Sequence, residues 1–519
     1  MSDTTMLTSM PKKKTLVDEP CDEYLRFSRY WTKCKAFVAG EDAVKDLDLL
    51  PGGDNVLLPF SPTMSIEQYN FYKSEAELPG ITSQFVSVII GGLLRKPPVI
   101  TYKKDIPEEA KDWIVNSITN TGGSLISFLN ELLKEEMETS RAWIYADYPA
   151  LDENVANNLS KNEWANVKPY VVIWPASTVI NWQVRSINGK SQLSRVIVRG
   201  YVELYESEES FHPVSVQTIW VHEIIGGVYQ IRIFTLSPSD VGAISTFKLT
   251  DTIIPKMHGE VMGSIPAWPA NGSIGCDMPY INTFVDKEAA LYNVMSRRNH
   301  LLYGAATYTP WIASDMQPDH FTKIVEQGLG TWILLGKDDK IGSLAPPVEA
   351  LKDLNTAIDA KLEELAKLGL RFLAPESAQS GVALTIRNAA QTATLGVVNT
   401  KLSEVLTDVI VHMLNRRYNL QLTSTDITFS LSPDFDPASI GVEFLRIATE
   451  WYQANLLPRS EWIRLLKANE MLSPEYVDDE GVQEINADEL TQPTLEQQDT
   501  NMGTADKLKQ ELAKLKAVK

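Results

Sequence analysis

From Leu384 to about Tyr418 the chain contains no proline. At ~1.5 Å per residue that span reads as one helix of ~50 Å, and no other feature restricts the fold as strongly. Its second half carries Val398, Leu402, Val405, Val409 and Met413 on one face. Its first half, "TIRNAAQTATLGVVNT", has no charge between Arg387 and Lys401. Small and polar residues there suit close packing against other helices or a polar lumen.

Two more helices precede it. "YINTFVDKEAALYNVMSRRNHLLYGAA" (280–306) has Ile281, Phe284, Val285, Tyr292, Met295 and Leu302 along one side. "ALKDLNTAIDAKLEELAKLGLRFL" (350–373) repeats Leu351, Leu354, Ile358, Leu362, Leu365, Leu368 and Phe372 at helical spacing. A compact insert separates them. In it "YTPWIAS" reads as a strand, "DHFTKIVEQGL" as a helix and "GTWILLG" as a strand, and "DKIGSLAPP" closes it. "APESAQSG" (374–381) is a loop of small residues leading to the long helix.

The front of the chain is mixed. Residues 1 to about 20 read as a flexible arm, and 23–96 as mostly helical, with Ser65 as an N-cap. "FVSVIIGGLLRKPPVI" (85–100) opens with ten mostly apolar residues, about half the ~20 a bilayer span needs. Pro97-Pro98 stops helix, so this stretch reads as a buried helix entering the strand "PVITY". "SLISFLNELLKEEMETSRAWIYADYP" (124–149) is a helix striped by Leu125, Phe128, Leu129, Leu132 and Leu133, then a strand. Between 168 and 250 the β-branched, alternating runs "YVVIWPASTVINWQV", "SRVIVRGYVEL", "VSVQTIWVHEI" and "VYQIRIFTL", with Asn-Gly and Gly-Gly turns, predict an antiparallel meander. "IPAWPANGSIGCDMP" is rich in turn residues. After the long helix come a strand (421–433), two helices, an acidic linker (474–506) and a short amphipathic tail helix. The fold class is α+β.

Composition limits the chemistry. The 519 residues are 44% hydrophobic and 22% charged, with a net charge of −19. Tight binding along DNA phosphates needs a basic face, and the balance argues against one. Three scattered cysteines fit a reducing compartment, and the N-terminus lacks the apolar core of a signal peptide. "NGKS" (188–191) has Val184 where a phosphate loop needs glycine, and reads as a hairpin turn. "HEIIG" (222–226) ends in Gly226 rather than histidine, so no zinc is expected. "DFDPASIGVE" places its glycine too late for a calcium loop. His412 reads as structural. Twelve tryptophans and eighteen tyrosines lack interleaved basic residues, which favours core and interface over base stacking. Arg297-Arg298 reads as a solvated or intersubunit face. No catalytic residue, metal or cofactor is expected.

The order of elements is similar to that of portal proteins of tailed double-stranded DNA phages. Those run wing, stem helix, clip, second stem helix, tunnel loop, long helix, final strand and C-terminal helices. "GGLLRKPP" (91–98), "GGSLISFLNELLKEEMETSRAWIYADYP" (122–149), "IPAWPANG" and "LEELAKLGLRFL" also resemble one portal-like family catalogued as a domain of unknown function. The likeness covers roughly residues 23–460. It departs from that pattern in a leucine of "LLRKPP" and in the missing glycine after Arg141. It implies a wing at 23–279, stem helices at 280–306 and 349–373, a clip at 307–348 and a tunnel loop at 374–383. C-terminal crown-like helices would follow at 436–473. It implies a homo-oligomeric ring, typically a dodecamer, at the capsid vertex, assembled in the host cytoplasm. The ring conducts double-stranded DNA without sequence specificity. Its implied partners are the terminase large subunit, capsid and scaffold proteins and tail adaptors, with no membrane. Ser377, Gln379, Ser380, Gly381 and Arg387 would face the channel; Trp311, Phe321 and Trp332 would belong to the docking clip. Two alternatives stay open: a minor capsid or head–tail adaptor protein that forms no ring, and an enzyme with an unrecognised site.

Overall fold

A computed structural model describes residues 16–47, 57–58, 64–149, 168–187, 189–204, 211–236, 247–257, 260–306, 309–313, 338, 340–344, 349–368, 381–432, 449, 452, 462, 463 and 466. The chain divides into two compact units, 1–435 and 436–519. In the second, the described positions are helical. There Tyr452 stacks on Trp462 at 4.5 Å, and the Trp462 indole donates to Thr449 Oγ1 at 3.4 Å.

The first unit begins with helices α1 (Asp22–Ala39), α2 (Glu41–Leu47), α3 (Ile66–Ser74) and α4 (Ile81–Leu93). The segment before α1 is tied to the helix-and-sheet region called the wing: Glu19 O accepts from Asn181 Nδ2 and Cys21 N–H donates to Ile180 O. Ser65 is the expected N-cap. Its hydroxyl accepts from Gln68 N at 3.2 Å and Gln68 reaches back to Ser65 N at 2.9 Å, a reciprocal cap. Helix α4 stops before the double proline as expected, and β1 (Val99–Tyr102) follows. The sequence "PVITY" finds its partner far away, in β14 (Ile427–Ser430), with Val99 opposite Ser430.

Helices α5 (Glu108–Asn116) and α6 (Leu125–Thr139) come next. All five leucine and phenylalanine positions of the α6 stripe are buried. Burial at ~25 cal/mol per Å² of apolar area makes such a face the main support of the helix. Strand β2 (Trp143–Asp147) lies between β3 (Tyr170–Trp174) and β11 (Ala267–Pro269). A five-stranded antiparallel meander runs β4 (Val179–Ile187), β5 (Lys190–Leu204), β6 (Val214–Ile225), β7 (Val228–Leu236) and β8 (Phe247–Ile253). The short hairpin β9 (Lys256–Met257) and β10 (Glu260–Val261) follows. "YVVIWPASTVINWQV" is therefore not one strand. Pro175 has no N–H for a ladder, and the chain turns there, with Thr178 N–H donating to Pro175 O. The two halves join different sheets. The expected turns hold: Gly189 has φ +78°, and Gly226 and Gly227 have φ +59° and +83°, the left-handed pair that two-residue hairpins require.

Helices α7 (Asn282–Ala306) and α8 (Glu349–Leu368), called the stem, flank β12 (Thr309–Ala313) and β13 (Lys340–Leu344) in sequence, and α9 (Gly381–Tyr418) follows. The expected first strand is β12. It pairs with "KIGSL", which the sequence reading took as the close of the insert; "GTWILLG" lies outside the described residues. Gly342 stands opposite Trp311. The long helix starts at Gly381, three residues earlier than expected, because glycine's entropic cost falls on helix interiors rather than on the first turn.

Candidate functional site

The candidate site is the stem, its root in the wing, and the long helix behind it. Helices α7 and α8 pack antiparallel. Lys287 is bonded to Glu364 near one end, and Arg298 Nε donates to Asn355 Oδ1 at 2.8 Å near the other. Phe284, Leu291, Leu365 and Ile81 form the buried contact, and Phe85 stacks on Phe284 at 4.4 Å. Of the Arg297-Arg298 pair, Arg297 is exposed and Arg298 ties the two stem helices together.

Part of the stem's apolar stripe is left exposed, towards the far end of α7 and along α8. On α8 only Leu365 is buried; Leu362 and Leu368 are 36% and 43% exposed, and on α7 Leu302 and Tyr303 are 37% and 47% exposed. Leu302, placed by periodicity on the core side, lies beyond the wing core that buries Ile281, Phe284, Val285 and Tyr292.

The root of α7 is held by groups that the sequence reading missed. Glu288 is buried, and its carboxylate accepts from Ile81 N and Thr82 N, both at 2.8 Å, and from the Thr82 hydroxyl. Helix α4 has Gly80 as its N-cap, with no side chain to cap it. The stem helix supplies the missing acceptor, and an anion at a helix N-terminus is favourable. Nothing local in the sequence signals this pairing.

Helix α9 is anchored through its C-terminal half. Val398, Leu402, Val405, Leu406, Val409, Ile410, Met413 and Leu414 are buried. On the adjoining face Asn399, Ser403 and Thr407, spaced four apart, satisfy the outer edge of β14. Phe429 N–H donates to Thr407 Oγ1 at 3.0 Å and Leu431 N–H to Ser403 Oγ at 3.1 Å. Asn399 Nδ2 donates to Ser432 O at 2.8 Å. Three polar side chains thus take the place of a neighbouring strand.

The buried titratable groups look structural. The Glu136 carboxyl is pushed up to about 8 by burial; its Oε2 accepts from Ala142 N at 3.1 Å. Burial likewise raises Glu138 to about 7. His222 Nδ1 lies 2.7 Å from the Tyr229 hydroxyl, and burial lowers its imidazole to about 3. His412 packs edge-on against Trp268 at 5.3 Å, and burial lowers it to about 4. Among the described residues no cluster of three His, Cys, Asp or Glu side chains is placed to hold a metal, and no helix is long and apolar enough to cross a membrane.

Of the candidate channel residues, Gly381 opens α9 and Arg387 lies in its second turn; Ser377, Gln379 and Ser380 lie outside the described residues. Of the clip residues, Trp311 is in the middle of β12; Phe321 and Trp332 lie outside the described residues.

Residues 281–415 match a family described as a domain of unknown function, DUF4055. That stretch runs from the root of α7 to the last turn of α9. The phrases at 91–98 and 122–149 lie outside it. No curated protein matches the chain. Among solved structures, similarity extends to a chain from the virion of a native gene transfer agent particle, with 11% identity and a TM-score of 0.39 over 74% of this chain and 89% of that one. It extends also to a chain in the neck of the empty particle, computed with C6 symmetry, with 12% identity and a TM-score of 0.35 over 78% and 95%. A chain in the neck of the native particle, computed with C12 symmetry, shows 10% identity and the same TM-score and coverage. With TM-scores below 0.5, the functional reading rests on the chain's own elements.

Proposed function

We propose that this chain is the non-enzymatic subunit of a ring that conducts double-stranded DNA through one vertex of a phage capsid. One observation carries the reading. Two long antiparallel helices flank a pair of antiparallel strands and lead into a 38-residue helix, while Leu302, Leu362 and Leu368 of the pair's apolar stripe stay exposed. A two-helix arm with exposed leucines needs a neighbour, and a repeated head-to-tail contact closes into a ring.

In this reading the segment containing the β12–β13 pair is the tip on which the terminase large subunit docks during packaging, and tail adaptors replace it later. Trp311, Phe321 and Trp332 belong to that tip. Ser377, Gln379, Ser380, Gly381 and Arg387 stand at the channel wall. Scaffold and capsid proteins contact the wing, and the subunit number is about twelve, as the resemblance implies. The acidic balance of the chain, −19, supports passage of DNA without retention.

The test is negative-stain electron microscopy of the purified protein together with its native mass. Rings of about a dozen subunits with a central hole are expected. A discrete oligomer without a hole favours the minor capsid or adaptor reading, and a monomer that remains monomeric with scaffold present overturns the ring.

A further inference from the structure

The loop from Asn271 to Asp277 connects the wing to the stem helix α7. It holds Gly272 at φ +65° and Gly275, and by sequence it has the look of a hinge. Its surroundings do the opposite. Arg141, with no exposed surface, points its guanidinium into this loop. Nη1 donates to Ser273 O at 2.7 Å and to Gly275 O at 3.1 Å, and Nη2 donates to Ile274 O at 2.6 Å. The same guanidinium lies 4.5 Å from the ring centres of both Trp143 and Trp182. Trp143 is on β2 and Trp182 on β4, so the group sits where the two wing sheets and the stem loop meet.

Among the described residues no carboxylate is hydrogen-bonded to this cation. Three carbonyl dipoles and two aromatic faces hold it, with the Glu23 and Glu136 carboxyls nearby favouring its charge. Neighbouring contacts hold the same loop. Asn271 Oδ1 accepts from Ser273 N at 3.1 Å, Cys276 N donates to Glu23 Oε1, and Lys401 Nζ lies 3.8 Å from Asp277. Just beyond the loop, Tyr280 N donates to Ser140 Oγ at 3.1 Å. Ser140 is buried in a left-handed conformation, φ +50°, a position that a non-glycine residue holds only when its surroundings enforce it.

We propose that Arg141 is a pin that turns this glycine-containing loop into a rigid joint, so that the wing sheets and the stem helix α7 move as one body. Lysine cannot replace it. A point ammonium cannot lie flat between two rings while reaching three successive carbonyls.

The test is hydrogen exchange on the full-length protein, wild type against Arg141→Lys and Trp182→Phe, in whatever assembly each forms. The outcome therefore does not depend on the ring. Arg141→Lys is expected to speed exchange across 271–280 by about tenfold, with the β5–β6 amides unchanged, as local opening requires. Trp182→Phe keeps the three carbonyl bonds and is expected to give about threefold in the same peptides. If Arg141→Lys prevents folding, Trp182→Phe carries the test alone. Wild-type exchange across 271–280, or an increase spread evenly over both sheets, overturns the pin.

Discussion

The root of the stem and its shaft are two parts of one helix pair, and they are built on opposite terms. At the root, buried polar groups have partners drawn from distant sequence: Glu288 caps α4, and Ser140 receives Tyr280 N. Along the shaft, Leu302, Leu362 and Leu368, which periodicity marks as core, remain a third or more exposed. The root is finished within one chain. The shaft leaves three leucines exposed, and in the proposed ring a neighbouring subunit covers them.

Substitutions separate the two regimes. Leu129→Ala empties a fully buried site on α6 and is expected to cost ~3 kcal/mol, read from chemical denaturation, in any oligomeric state. Glu288→Ala leaves two buried N–H groups and a hydroxyl without an acceptor and is expected to cost ~2–3 kcal/mol, with faster exchange in the first turn of α4. Little change in either measurement would show that the root is not self-contained. Leu362→Ser on the shaft should alter monomer stability by only ~0.5 kcal/mol while lowering the native mass of the assembly. An unchanged assembly breaks the comparison on the other side.

Acidity sharpens it further. The folded-state value of Glu136 stands at about 8, against an ordinary 4.5, because burial favours the neutral form. Its contribution to stability is therefore complete below pH 4.5 and is lost as pH rises towards 8. Glu136→Gln is expected to flatten the decline of unfolding midpoint over that interval; a slope identical to wild type sinks the assignment. A small effect of the opposite sign is expected at Gly91, in the last turn of α4, where an added Cβ meets no atom within 4 Å. Gly91→Ala should add ~0.5–1 kcal/mol, measured on the isolated subunit.

Local chemistry was legible from the residues. Pro97-Pro98, Ser65 and Gly226-Gly227 each act through neighbours a few positions away, and each acts as read. Pro175 was visible too, but its consequence was missed, because a proline break does not say that the two halves join different sheets. The β13 strand was read only as the close of the insert, because its pairing with β12 lies some thirty residues away in sequence. Glu288 and Arg141 lay outside any local rule. A glutamate on a helix and an arginine before a strand are ordinary in sequence, and only the fold brings them to Gly80 and to the 273–275 carbonyls. The one available hint at Arg141 was a charge followed by the apolar run "AWIYA". The stripes of α7 and α8 were read correctly as apolar, but periodicity cannot say whether the covering partner is in the same chain.

The pairing of Val99 with Ser430 also sets a schedule for the making of the protein. On a ribosome adding ~5–20 residues per second, roughly 330 residues separate the two strands, a wait of about 20–60 s. Throughout that interval β1 is outside the exit tunnel without its ladder partner, while the whole stem is still being translated. The wing is the first region synthesised and among the last completed, and the nascent chain spends most of its synthesis with that edge open.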